Sequence, residues 1–77
     1  MSEKFKVNSV YRASVADPIK IERRTDKTVW VVDPVNNHRW TMIIREDDDG
    51  TEYVVDYAVP KKHRDMFTWR ADEEIEW

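Results

Sequence analysis

Cysteine is absent from this chain, and glycine occurs once, at Gly50. Without thiols, neither a disulfide framework nor a thiolate metal site can form. A lone glycine excludes a glycine-rich phosphate loop and argues against flexible linkers. His38 and His63 are the only histidines, and no HxH or HExxH spacing surrounds either one. Ser2, Ser9 and Ser14 stand near the N-terminus outside any nucleophile-elbow setting. No apolar run approaches the roughly 20 residues that a membrane span requires. The opening MSEKFKVNSV also lacks the apolar stretch of a secretory signal. Together these absences lead to the expectation of a cytoplasmic protein that is not an enzyme, with no cofactor, no metal site and no membrane partner.

Charge and aromatic surface are what the chain does have. Its 77 residues make a single domain, 1–77. A chain of this size buries only about 60% of the surface it exposes when unfolded, so its core is thin. Four tryptophans, three tyrosines and two phenylalanines are a large aromatic load for such a core. Charge is split along the chain, with a net +4 over residues 1–45 and −7 over residues 46–77. Besides an ordinary solvated surface, such a split suits steering of a charged partner or head-to-tail pairing of copies.

Period-2 alternation recurs along the chain and predicts strands. FKVNSVYRA (5–13) is a first, weak strand, and Asp17-Pro18 marks the loop after it. IKIERR (19–24) places Ile19, Ile21 and Arg23 on one face. TVWVV (28–32) is apolar on both faces, as in a covered central strand. Trp30 and Trp40 are expected in the core. Asp33-Pro34 closes that strand, and the following asparagines tolerate a left-handed turn. RWTMII (39–44) presents Trp40, Met42 and Ile44 together. Asp49-Gly50 is the strongest hairpin signal, and it leads into EYVVDYAV (52–59), which Pro60 stops. A short helix is expected near 60–66, after that proline.

The closing segment MFTWRADEEIEW (66–77) is decided by its period. Counted by twos, Phe67, Trp69, Ala71, Glu73, Ile75 and Trp77 share one face, and the other face is wholly polar. Counted at 100° per residue, the apolar positions spread over roughly 240°, too wide for an amphipathic helix. A strand at a sheet edge is expected, although the DEE run favours a helix start. The fold expected is therefore mainly β: a four- to five-stranded antiparallel meander or small partly closed barrel. The alternative is an α+β chain with a C-terminal helix over 67–76.

Asp47, Asp48 and Asp49 invite a calcium reading, but adjacent aspartates point apart and no glutamate follows at loop spacing, so a solvated hairpin tip is expected. The aromatics and carboxylates of the second half suggest a protein-binding surface. Its candidates are Tyr57, Trp69 and Trp77 as anchors, with Asp72, Glu73 and Glu74 as an acidic steering rim. A nucleic-acid surface is the alternative, built on Lys20, Arg23, Arg24 and Lys27 with a stacking tryptophan. Against it stands the net charge of −3. A structural homodimer is the third reading.

IERRTDKTVWVV (21–32) and MFTWRADEE (66–74) resemble stretches in small proteins encoded by phages and prophages. In those proteins a strand reading Arg-x-Thr-Asp-Lys-x-Val-Trp precedes a polar turn, and the chain ends in an aromatic, acidic stretch. The resemblance implies a phage or mobile-element origin, a helical tail and no particular activity. Joined to the residue reading, it leads to the expectation of a protein that binds and modulates, or inhibits, a host protein.

Overall fold

The computed structural model describes residues 3–76, so Trp77 lies outside the described residues. Eight strands appear in chain order: β1 (Val10–Tyr11), β2 (Ile19–Arg24), β3 (Thr28–Val32), β4 (Arg39–Ile43), β5 (Arg45–Glu46), β6 (Glu52–Val55), β7 (Thr68–Arg70) and β8 (Glu74–Ile75). A 3-10 helix, Lys61–Phe67, joins β6 to β7. The strands form two antiparallel sheets, one ordered β4-β3-β2-β1-β8 and the other β5-β6-β7. The fold is mainly β, and the sheets do not close into a barrel. The chain passes from one sheet to the other at Ile44, between β4 and β5.

Local chemistry explains the turns. After β3, the Asp33 carboxylate accepts the Val35 amide at 2.8 Å, and Asn37 takes φ 62°, a conformation asparagine tolerates. At the β5–β6 hairpin, Gly50 takes φ 86°, and Asp47 and Asp49 both accept the Thr51 amide. Asn8, at φ 72°, breaks the first predicted strand. Its amide donates to the Ile21 carbonyl at 2.7 Å, and only Val10–Tyr11 remain as β1. The expected strand over 52–59 also ends early. Asp56 turns the chain by accepting the Ala58 amide, so Tyr57 stands beyond the ladder.

The core lies between the two inner faces. Tyr11, Ile19, Ile21, Val29, Val31 and Met42 come from the larger sheet, and Val54 and Trp69 from the smaller. Trp40 packs half-buried against this cluster, whereas Trp30 lies on the opposite face of the larger sheet and is no core residue. The tail forms strands rather than a helix. It makes two of them, because the turn at Ala71-Asp72 passes the chain from β7 in the smaller sheet to β8 at the edge of the larger.

One register shift decides the interior. A bulge between Ile21 and Arg23 sets Arg23 opposite Trp30 and Arg24 opposite Val29. An extra residue in one strand reverses the alternation beyond it. Arg24, not Arg23, therefore follows Ile21 inward. There it makes a two-pronged pair with Glu52, Nη1 to Oε1 at 2.6 Å and Nη2 to Oε2 at 2.9 Å. The same carboxylate accepts the Phe5 amide at 2.8 Å, and Arg24 donates to the Phe5 carbonyl at 2.8 Å. Burial alone raises the Glu52 pKa, but the Arg24 hydrogen bonds and the Phe5 amide outweigh it and hold the pKa below its ordinary value.

Because the folded pKa of Glu52 is depressed, its stabilising contribution is present above the unfolded value of about 4.3 and is lost as pH falls through the folded value. Arg24→Met leaves a buried, unpaired carboxylate and is expected to destabilise by about 3–5 kcal/mol, enough to unfold most of so small a domain. Glu52→Gln is expected to be less stable than the parent at pH 7, with the gap narrowing as pH drops below about 4. Urea titrations at both pH values measure this; a gap independent of pH would remove the pair from the acid response.

Candidate functional site

The outer face of the smaller sheet carries a groove beside an exposed tyrosine. Tyr53 and Val55 on β6 point outward, opposite Arg70 and Thr68 on β7, because Val54 and Trp69 take the inward positions. The helix follows Pro60 and sets Lys61, Arg64 and Asp65 along this face. The resulting groove measures about 520 Å³ and is lined by Tyr53, Val55, Tyr57, Arg64 and Arg70 among others.

Tyr57 is the centre of this surface. It is 48% exposed, and two guanidinium groups flank its ring, Arg64 at 4.9 Å and Arg45 at 5.5 Å from the centroid. Arg64 also donates to the carbonyls of Val59 and Tyr57, which holds the turn that presents the ring. Among the described residues, Arg45 and Arg64 take part in no ion pair. Arg70 differs, since it bridges Asp47 at 2.6 Å and Asp72 at 3.1 Å, and these carboxylates hold its guanidinium in the charged form.

The other predicted anchors and the acidic rim sit differently. Trp69 is 2% exposed, in the core, and its indole N–H donates to the Asp17 carbonyl at 3.1 Å. It offers no surface to a partner. The rim carboxylates are each met by a cation: Asp72 by Arg70, Glu73 by Arg12 at 3.1 Å, and Glu74 by Lys6 at 2.8 Å. The Lys6 hydrogen bond lowers the Glu74 pKa and raises that of Lys6. Glu73 and Glu74 tie the tail to the N-terminal residues, so the charge of this rim is paired within the chain. Trp77 lies outside the described residues.

The four basic residues of the alternative surface are not brought together. Arg24 is committed to Glu52 in the interior, while Arg23 lies on the outer face over Trp30, 4.6 Å from the ring centroid. Lys20 shares that outer face opposite Val32, and Lys27 is exposed in the β2–β3 turn. Arg39 on the same face is tied to Glu22 at 2.9 Å.

Asp17 and Asp33 also meet, and a hydrogen bond with Asp33 and its like charge raise the Asp17 pKa. Among the described residues no group of three or more histidine, cysteine or carboxylate side chains is placed to hold a metal ion. No helix among them is long and apolar enough to cross a membrane.

Arg45 and Arg64 were missed by the sequence reading. The Asp49-Gly50 hairpin signal could have found Arg45, since counting back from that turn brings Arg45 opposite Tyr53, beside Tyr57. Arg64 had no comparable signal, because a helical turn meets Tyr57 only through the tertiary fold.

Truncation separates the two aromatics. Trp69→Ala is expected to destabilise by about 3–5 kcal/mol through loss of packing. Tyr57→Ala, at an exposed site, should stay within about 0.5 kcal/mol of the parent. Thermal melts of both variants check this, and equal losses would contradict the core and surface assignments. No protein-family model, no curated protein and no solved structure matches this chain.

Proposed function

We propose that this chain is a small binding protein of phage or mobile-element origin that modulates a host protein, and that Tyr57 is its anchor. The origin and the host target rest on the resemblance of residues 21–32 and 66–74 to phage-encoded proteins. The binding role is supported chiefly by one observation: an exposed tyrosine beside two arginines that make no ion pair among the described residues. Tyrosine and arginine are favoured anchors in protein interfaces, because each covers a large area with few rotatable bonds or several hydrogen-bond donors. Two guanidinium groups outside any described ion pair, beside an aromatic ring, suit a partner segment with acidic or carbonyl groups next to an apolar side chain. The surface is thus aromatic and basic in character, because the acidic rim is already paired within the chain.

A nucleic-acid reading keeps one specific observation in its favour, the Arg23 guanidinium over the half-exposed Trp30 on an open sheet face. Glu22 beside that face and the commitment of Arg24 to the interior reduce its positive potential.

Tyr57→Ala is expected to weaken partner capture from host lysate by about tenfold or more at low salt, with the melting temperature unchanged. Undiminished capture by the variant would refute the Tyr57 reading. Titration with single-stranded DNA at about 50 mM salt should leave tryptophan fluorescence unchanged; quenching that weakens steeply with added salt would favour the nucleic-acid surface instead.

A further inference from the structure

The two sheets part where they could have been one. β5 pairs with β6 through Arg45↔Tyr53 and Glu46↔Glu52, and the ladder stops there. Continued in register, Ile43 would face Val55, yet β4 and β6 form no ladder. Between them lies an open cleft of about 360 Å³, lined by Trp40, Thr41, Met42 and Ile43 on one side and by Val55, Asp56, Tyr57 and Ala58 on the other.

Main-chain groups point into this cleft from both walls. The Ile44 amide donates to Lys27 and the Asp33 amide to His38, so the even-numbered residues of β4 face β3. Alternation in an antiparallel ladder then turns the amides and carbonyls of Thr41 and Ile43 outward, toward the cleft. On the opposite wall, the Asp56 amide donates to Phe67 and the Ala71 amide to Glu52, so the even residues of β6 face β7. Val55 therefore directs its main chain toward the cleft. Ile43 is 57% exposed along this edge. The indole nitrogen of Trp40, which lines the cleft, is a buried donor without a hydrogen-bond partner.

The other sheet edges differ. β5 and β8 are two residues long and β7 three, and each carries a charged side chain. Short, charged edges resist strand pairing, whereas β4 offers five residues, with its one charge, Arg39, at the start and Trp40, Met42 and Ile43 beyond it. We propose that the cleft between β4 and the end of β6 receives an extended peptide from the partner protein as an added strand. The peptide would hydrogen-bond the main chain of Thr41 along the β4 edge, seat an apolar side chain against Trp40 and Met42, and set an acidic residue beside Arg45 and Arg64. Such strand addition takes affinity from main-chain bonds and selectivity from the side-chain positions between them. The apolar lining calls for the apolar residue, and the two unneutralised guanidinium groups at the Tyr57 end call for the acidic one.

This inference rests on the binding role proposed above, and its test separates the two. Arrayed decapeptides with alternating apolar and polar residues, with and without a terminal Asp-Glu pair, serve as probes. Peptides carrying the acidic pair should bind, and the best of them should shift the amide resonances of Thr41, Ile43 and Val55 and the Trp40 indole resonance. Thr41→Pro removes an outward-facing amide and no internal bond, so it should weaken that peptide by about tenfold or more with the fold retained. Ile43→Glu is the second variant, with the same expected loss. Absence of binding by every probe, or shifts confined to other residues, would overturn the proposal. Concentration-dependent protection of the Thr41 and Ile43 amides in the free protein would assign the cleft to a second copy and also overturn it. If Thr41→Pro captures partner normally while Tyr57→Ala does not, the binding role stands and the strand-addition inference falls.

Discussion

The pairing of Arg24 with Glu52 is the constraint on which the rest of the structure depends. Glu52 begins β6 and Arg24 ends β2, so the pair joins the two sheets. Its remaining hydrogen-bonding capacity goes to the N-terminal segment, with Phe5 held through both its amide and its carbonyl. The Glu52 main chain extends the same junction, since its amide donates to Glu3 and its carbonyl accepts from Ala71. Phe5 then closes the core over Tyr11, the rings meeting edge to face at 4.9 Å. A buried ion pair is weak support for stability when it stands alone, because desolvation offsets much of its attraction. Here each partner also meets a main-chain group that would otherwise be unsatisfied, and an apolar replacement of the pair would leave those groups without partners.

Electrostatics along the chain and in the fold tell different stories. By position, a basic first part precedes an acidic second part. In space the two parts interlock: Lys4 meets Glu46, Lys6 meets Glu74, Arg12 meets Glu73, and Arg24 meets Glu52. The linear asymmetry therefore serves to draw the N-terminal residues onto β5 and β8 rather than to polarise the surface. Most of these pairs are exposed, and solvent screening leaves each a minor contributor to stability. Their larger consequence is to leave Arg45 and Arg64 as guanidinium groups without a carboxylate, both beside Tyr57.

The strands over 19–24 and 39–43 were legible from their alternation, and that over 28–32 from its continuous apolar run, each bounded by turn residues. The DDDG hairpin was legible because glycine at positive φ has few alternatives there. The division of the tail into β7 and β8 was not, since period-2 counting continues undisturbed through Ala71 and Asp72 while the chain changes sheets. The shortening of the first strand was hidden in the same way, because Asn8 fits an alternating pattern as readily as it fits a left-handed turn. Of the proposed binding surface, only Tyr57 could be named in advance. Trp69 read equally well as anchor or core, and its burial follows from Val54 and Trp69 sharing the inward face of the smaller sheet.

By itself the sequence determined the class of the protein: mainly β and free of thiol chemistry, with one short helix after Pro60. Those properties follow from local rules, namely alternation, the fixed φ of proline, the freedom of one glycine, and the absence of cysteine. Only the tertiary structure decided which arginine is buried, which carboxylates are neutralised, and where the sheets separate. Each of these turns on register, and register depends on how distant strands share one core. A single extra residue at the β2 bulge sends Arg23 outward onto Trp30 and Arg24 inward onto Glu52, a choice that two adjacent identical residues cannot express in sequence.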